Sequence, residues 1–130
     1  MNEKILFVDD DPDILEAYQR RLGKALQVDT ARGGAHGLRA ILSDGPYAVV
    51  VADMHMPVMN GIDFLARVKE VAPDTVRIML TGNASLKITI QAVNTGGVFR
   101  FLTKPCPPEV MGEALVAAIN QYRIAKGETT

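Results

Sequence analysis

Asp9, Asp10, Asp53, Thr81 and Lys104 are residues whose types suit chemistry, and each stands at the end of a short apolar run or just past it. Three carboxylates brought together repel one another and need a cation to stay ionised. They offer hard oxygen ligands to a divalent ion, and Mg²⁺ usually takes one or two protein carboxylates while keeping several waters. Lys104 is a compact point charge suited to a phosphate oxygen. Thr81, followed by the flexible Gly82, can donate a hydrogen bond to the same group. A carboxylate beside a metal, an ammonium and a hydroxyl is equipped to accept a phosphoryl group as an acyl phosphate. Such a site mainly positions the reactants and neutralises charge.

These residues converge only if the chain folds to bring strand ends together. Apolar, β-branched runs predict strands over 4–8, 27–31, 48–53, 76–80 and 98–103. Between and after them lie helical stripes: Ile14, Leu15, Tyr18 and Leu22; Leu38, Ile41 and Leu42; Ile62, Leu65, Val68 and Ala72; Leu86, Ile90 and Val93; Met111, Leu115, Ala118 and Tyr122. Asp11-Pro12 reads as a helix start. Gly23, Gly45-Pro46, Pro73-Asp74 and Gly96-Gly97 close elements. Five strands alternating with five helices give an α/β (βα)5 chain, doubly wound, with a parallel sheet covered on both faces. In such a sheet, loops at the carboxyl ends of the strands form the functional crevice.

Composition narrows the class. The 130 residues are 48% hydrophobic and 22% charged, which fits one globular domain. A formal net charge of −1 gives no basic footprint for direct nucleic-acid contact and no polybasic patch for a membrane. One cysteine, Cys106, cannot form an internal disulfide, and His36 and His55 do not complete a zinc set. The longest apolar runs, 47–52 and 114–119, are too short for a membrane span. A cytoplasmic protein is the expectation. Residues 1–125 form the expected domain, and 126–130 a frayed tail or a cut linker to an output domain.

Four motifs in register carry a family resemblance. Val8-Asp9-Asp10-Asp11-Pro12 resembles the acidic opening of response-regulator receiver domains. Asp53-Met54-His55-Met56-Pro57-Val58-Met59-Asn60-Gly61 is similar to their phosphoacceptor loop. Thr81-Gly82 and Phe101-Leu102-Thr103-Lys104-Pro105 complete the set. The resemblance implies a flavodoxin-like five-stranded sheet of order 2-1-3-4-5. It also implies that Asp53 is phosphorylated by a sensor histidine kinase or phosphotransfer protein. Asp10 would bind Mg²⁺ (or Mn²⁺) directly, Asp9 mostly through metal-bound water, and the His55 backbone carbonyl would be a further ligand beside Asp53. Thr81 and Phe101 would be switch residues, and Lys104 would pair first with the aspartate and then with the phosphate. A cis bond between Lys104 and Pro105 is expected. The helix 4, strand 5 and helix 5 surface would then control a downstream output domain or protein, or a homodimer.

Some side chains have plainer readings. Asp11 and Asp13 suit a helix N-terminus. His55 is expected to be exposed beside the site, where it and Asn83 could shape access of water to an acyl phosphate. Met54, Met56, Met59 and Met79 read as packing. Phe101 stands where the family often has tyrosine, so a packing switch survives and a hydroxyl readout does not. The rival reading is an aspartate-nucleophile phosphatase of related fold, which usually carries a second acid two residues after the nucleophile, where this chain has His55. A nucleotide- or flavin-binding module has less support, because no glycine-rich phosphate loop is present.

Overall fold

The structure, a computed structural model, describes residues 2–82 and 85–127. Asn83 and residues 128–130 of the expected tail lie outside them. Five strands and five helices alternate: β1 (Lys4–Asp9), α1 (Pro12–Leu22), β2 (Gln27–Arg32), α2 (Gly34–Asp44), β3 (Val49–Asp53), α3 (Gly61–Val71), β4 (Val76–Thr81), α4 (Leu86–Gly96), β5 (Arg100–Thr103) and α5 (Pro108–Ala125). The strands pair in parallel in the order β2-β1-β3-β4-β5. Among the described residues no helix is long and apolar enough to cross a membrane.

Strand alternation divides the core in two. Ile5, Phe7, Val49, Val51, Ile78 and Leu80 pack against α1 and α5 through Leu15, Met111, Leu115 and Ile119. Leu6, Val8, Val50, Ala52 and Met79 face the other side, against Ile41, Phe64, Leu65 and Ala92. Central strands buried on both faces explain the unbroken Val49-Val50-Val51-Ala52 run.

Three local expectations need correction. On α2, Leu42 of the expected stripe is 70% exposed, and the buried residues are Gly34, Gly37 and Ile41. The last strand begins at Arg100 rather than at 98, because Gly97 ends α4 in the left-handed region (φ 60°) and the chain must turn before it can pair. On α4 the expected apolar stripe is not the buried one: Ile90 and Val93 are 52% and 48% exposed. The helix instead lies on α3 through Ala92 and the buried Gly96, where an added Cβ would come within 3.3 Å of Leu65 Cβ. Small residues allow that approach; Ile88 packs partly buried against the same cluster, while Ile90 and Val93 are turned outward.

Candidate functional site

Parallel pairing aligns the strand ends that carry the polar residues. Asp53 is in register with Leu80, and Thr81 with Thr103, so the loops after β1, β3, β4 and β5 open on one edge. Asp9, Asp10 and Asp53 bring carboxylate oxygens within 4.8 Å of one another. Asp9 and Asp53 are buried and Asp10 is exposed. Thr81 is fully buried at the end of β4.

Lys104 reaches this cluster from just past β5. Its Nζ lies 3.1 Å from Asp53 Oδ1 and 3.2 Å from Asp9 Oδ2. Its backbone N–H donates to the Thr81 carbonyl at 2.9 Å, which fixes the lysine to the end of β4, and the following bond to Pro105 is cis. Burial alone would lower the Lys104 pKa, but the Asp53 hydrogen bond and the two aspartate charges outweigh it and raise it. Burial pushes the Asp9 carboxyl above the usual range, and the Asp53 charge adds to this against the Asp11 N–H and Lys104.

The flanking loops are shaped by local rules. Asp11 caps α1, its Oδ1 accepting from the Asp13 N–H at 2.9 Å. Its own N–H donates to Asp9 Oδ1 at 3.0 Å and orients that carboxylate, a role not visible in the sequence pattern. After β3, Met54 N–H donates to the Leu80 carbonyl and Gly61 N–H to the Met54 carbonyl. Gly61 is required by closeness, since a Cβ there would stand 2.5 Å from the Asp53 carbonyl oxygen. Met59 N–H reaches back to the Pro57 carbonyl at 2.7 Å around the fully exposed Val58 (φ 69°), a strained γ-turn conformation for a β-branched residue.

His55 is exposed, as is His36, whose Nδ1 lies 2.8 Å from the Arg32 carbonyl oxygen. Phe101 is partly buried against the cluster that contains Met79 and Ala92, on the sheet face it shares by alternation with Thr81. Met54, Met56 and Met79 are core residues.

The donor set suits a hard divalent cation. Three carboxylates answered by one ammonium leave the pocket with excess negative charge, and the exposed Asp10 keeps one side open to water. That pattern fits an ion that retains part of its hydration shell.

Comparison with known proteins agrees with this geometry. The family model for the response regulator receiver domain matches residues 5–116. The transcriptional regulatory protein GlrR of Escherichia coli is 35% identical over 95% of this chain. The chain spans about a quarter of the length of several of the curated relatives it matches, 28% in GlrR. Among solved structures, one described as adenylate cyclase from Rhodopirellula baltica superposes with a TM-score of 0.92 at 38% identity, covering 98% of this chain and 94% of that one. A response regulator receiver domain protein from Clostridium thermocellum gives 0.86 at 33% identity, over 95% and 98% of the two chains. With its strand order, its acidic edge and these matches in agreement, the chain belongs to the response regulator receiver domain family of two-component signalling.

Proposed function

We propose that this domain is a phosphorylation-dependent switch and that Asp53 is its phosphoacceptor. The observation that supports this most is the placement of Lys104 against both Asp53 and Asp9, beside Asp10, in one pocket. An Asp53 carboxylate oxygen attacks the phosphorus of a phosphohistidine on a kinase or phosphotransfer protein. The P–N bond breaks, its electron pair returns to the imidazole, and an acyl phosphate remains on Asp53. Lys104 exchanges its contact with the carboxylate for one with a phosphoryl oxygen, and the Thr81 hydroxyl donates to another. Asp9, Asp10, Asp53 and the His55 backbone carbonyl would hold Mg²⁺, which supplies neutralisation of charge on the transferred group.

Thr81 and Phe101 lie on one sheet face, so inward movement of Thr81 opens room for the aromatic ring to follow. The readout is the α4–β5–α5 surface, where Ile90, Val93 and Phe99 are exposed. Its partner is an output domain or a separate protein, and a second copy of the chain is a further candidate. Relatives described as a transcriptional regulator and as an adenylate cyclase show that related domains occur in proteins of different kinds. A turnover phosphatase is disfavoured by the exposed histidine at position 55, where such an enzyme usually has an acid.

Intact mass after incubation with Mg²⁺ and acetyl phosphate tests the reading. One added phosphoryl group, absent in Asp53→Asn and absent with chelator, is expected. Continuous release of phosphate from many unrelated esters would instead establish the phosphatase.

A further inference from the structure

Arg77 is a cation inside β4, between the buried Val76 and Ile78, and it is half-buried itself. Alternation places it on the same face as Met79 and Thr81, the face covered by α3 and α4. Its partners are backbone carbonyls. Nε donates to Gly96 at 2.8 Å, and one terminal nitrogen donates to Thr75 at 2.9 Å and Pro73 at 3.2 Å. The other terminal nitrogen lies close to Gly97, 2.9 Å from where a Cβ would stand.

This geometry gives α4 what its own sequence lacks. The helix has no basic residue in its last turn, and Gly96 carries one of the carbonyls that a helix end leaves without an intrahelical donor. Arg77 supplies both the positive charge and the donor from the neighbouring strand. The opposite end carries a serine cap, and the Ser85 carbonyl also accepts from Thr89 Oγ1 at 3.0 Å. Ser85 Oγ accepts from the Ile88 N–H at 3.2 Å, and Gly82, just past Thr81, has open space where a Cβ would be.

We propose that Arg77 is the pin on which α4 turns: a positioning residue that fixes the Gly96 end, so that movement at Thr81 swings the Ser85 end. One strand then carries the switch residue under the mobile end of α4 and the anchor under its fixed end. The swing rests on the phosphorylation reading above, whereas the anchor does not.

Residue-resolved amide exchange on the full chain, with and without Mg²⁺ and beryllofluoride as a stand-in for the acyl phosphate, tests both parts. In the untreated protein, Arg77→Met should lower protection at residues 93–97 by about tenfold, with 89–91 and the central strands unchanged. Within α4, beryllofluoride should alter exchange at 89–91 alone in the wild type, and through 97 in the variant. Should Arg77→Met fail to fold, Arg77→Lys, which keeps the charge but loses the fork, must show a smaller loss confined to 93–97. Unchanged protection at 93–97 in the folded variant, or a loss spread evenly over the sheet, would overturn the pin. A wild type with no response to beryllofluoride would overturn the phosphorylation reading and leave the anchor to the untreated comparison.

Discussion

Lys104 and Asp53 meet at 3.1 Å although they belong to the ends of different strands, and the same ammonium lies 3.2 Å from Asp9. One cation therefore balances two buried carboxylates.

Replacing Lys104 tests that balance. Lys104→Met leaves Asp9 and Asp53 facing each other with no ammonium, and breaking a buried pair from one side is costly. With Lys104 about a quarter exposed (26%), the loss is discounted to about 2 kcal/mol in metal-free urea unfolding. Added Mg²⁺ should recover part of it. No loss of stability would mean that the ammonium is not what balances the pair.

Metal binding should be visible as stability. If the three carboxylates hold Mg²⁺ in the folded state alone, the ion stabilises by about 2.7 kcal/mol at a hundredfold excess over its Kd. Thermal unfolding of the wild type should shift upward with Mg²⁺ and return with chelator. Asp10→Asn should shift much less. Equal shifts in both proteins would place the ion elsewhere.

Gly61 sets the distance between the loop and Asp53. Gly61→Ala drives a Cβ into the Asp53 carbonyl and the Met54 Cα, 2.5 and 2.9 Å away, and both are backbone. A cost of about 3 kcal/mol is expected, with slower phosphorylation by acetyl phosphate because the Asp53 carboxylate is displaced. A variant of wild-type stability and rate would show that the loop can shift freely.

A pH-dependent contribution should come from the far end of the sheet. Arg123 pairs with Glu3 through Nε at 2.8 Å and a terminal nitrogen at 2.9 Å. The Arg123 hydrogen bonds lower the Glu3 pKa against the effect of burial. A depressed folded pKa stabilises above the unfolded value and is lost as pH falls through the folded one. Arg123→Gln should therefore cost about 1 kcal/mol at pH 7, and the difference from wild type should shrink below about pH 4. A difference independent of pH would assign the effect to packing.

The strands, their parallel pairing and the convergence of Asp9, Asp10, Asp53, Thr81 and Lys104 were legible because apolar runs end in polar residues, and parallel topology puts those ends together; the strand order came with the family resemblance. What stayed hidden depends on distances between chain segments. The burial of Gly96 against α3 turns Ile90 and Val93 outward, and no periodicity within α4 reveals that. The hold of the Asp11 N–H on Asp9 is a loop detail of the same kind. Arg77 did leave a signal, a lone cation in the run Val76-Arg77-Ile78-Met79-Leu80, but its three carbonyl partners come from one loop and a helix end.

The claim that Asp53 is the atom-level acceptor is tested most directly by borohydride reduction of the protein treated with Mg²⁺ and acetyl phosphate. An acyl phosphate is reduced to the alcohol, so an aspartate that carried it becomes homoserine. Peptide mass analysis should find homoserine at position 53 alone, at a yield that falls away in Lys104→Met. Homoserine at position 9 or 10, or at none of the three in a protein that has gained phosphate, would contradict the account.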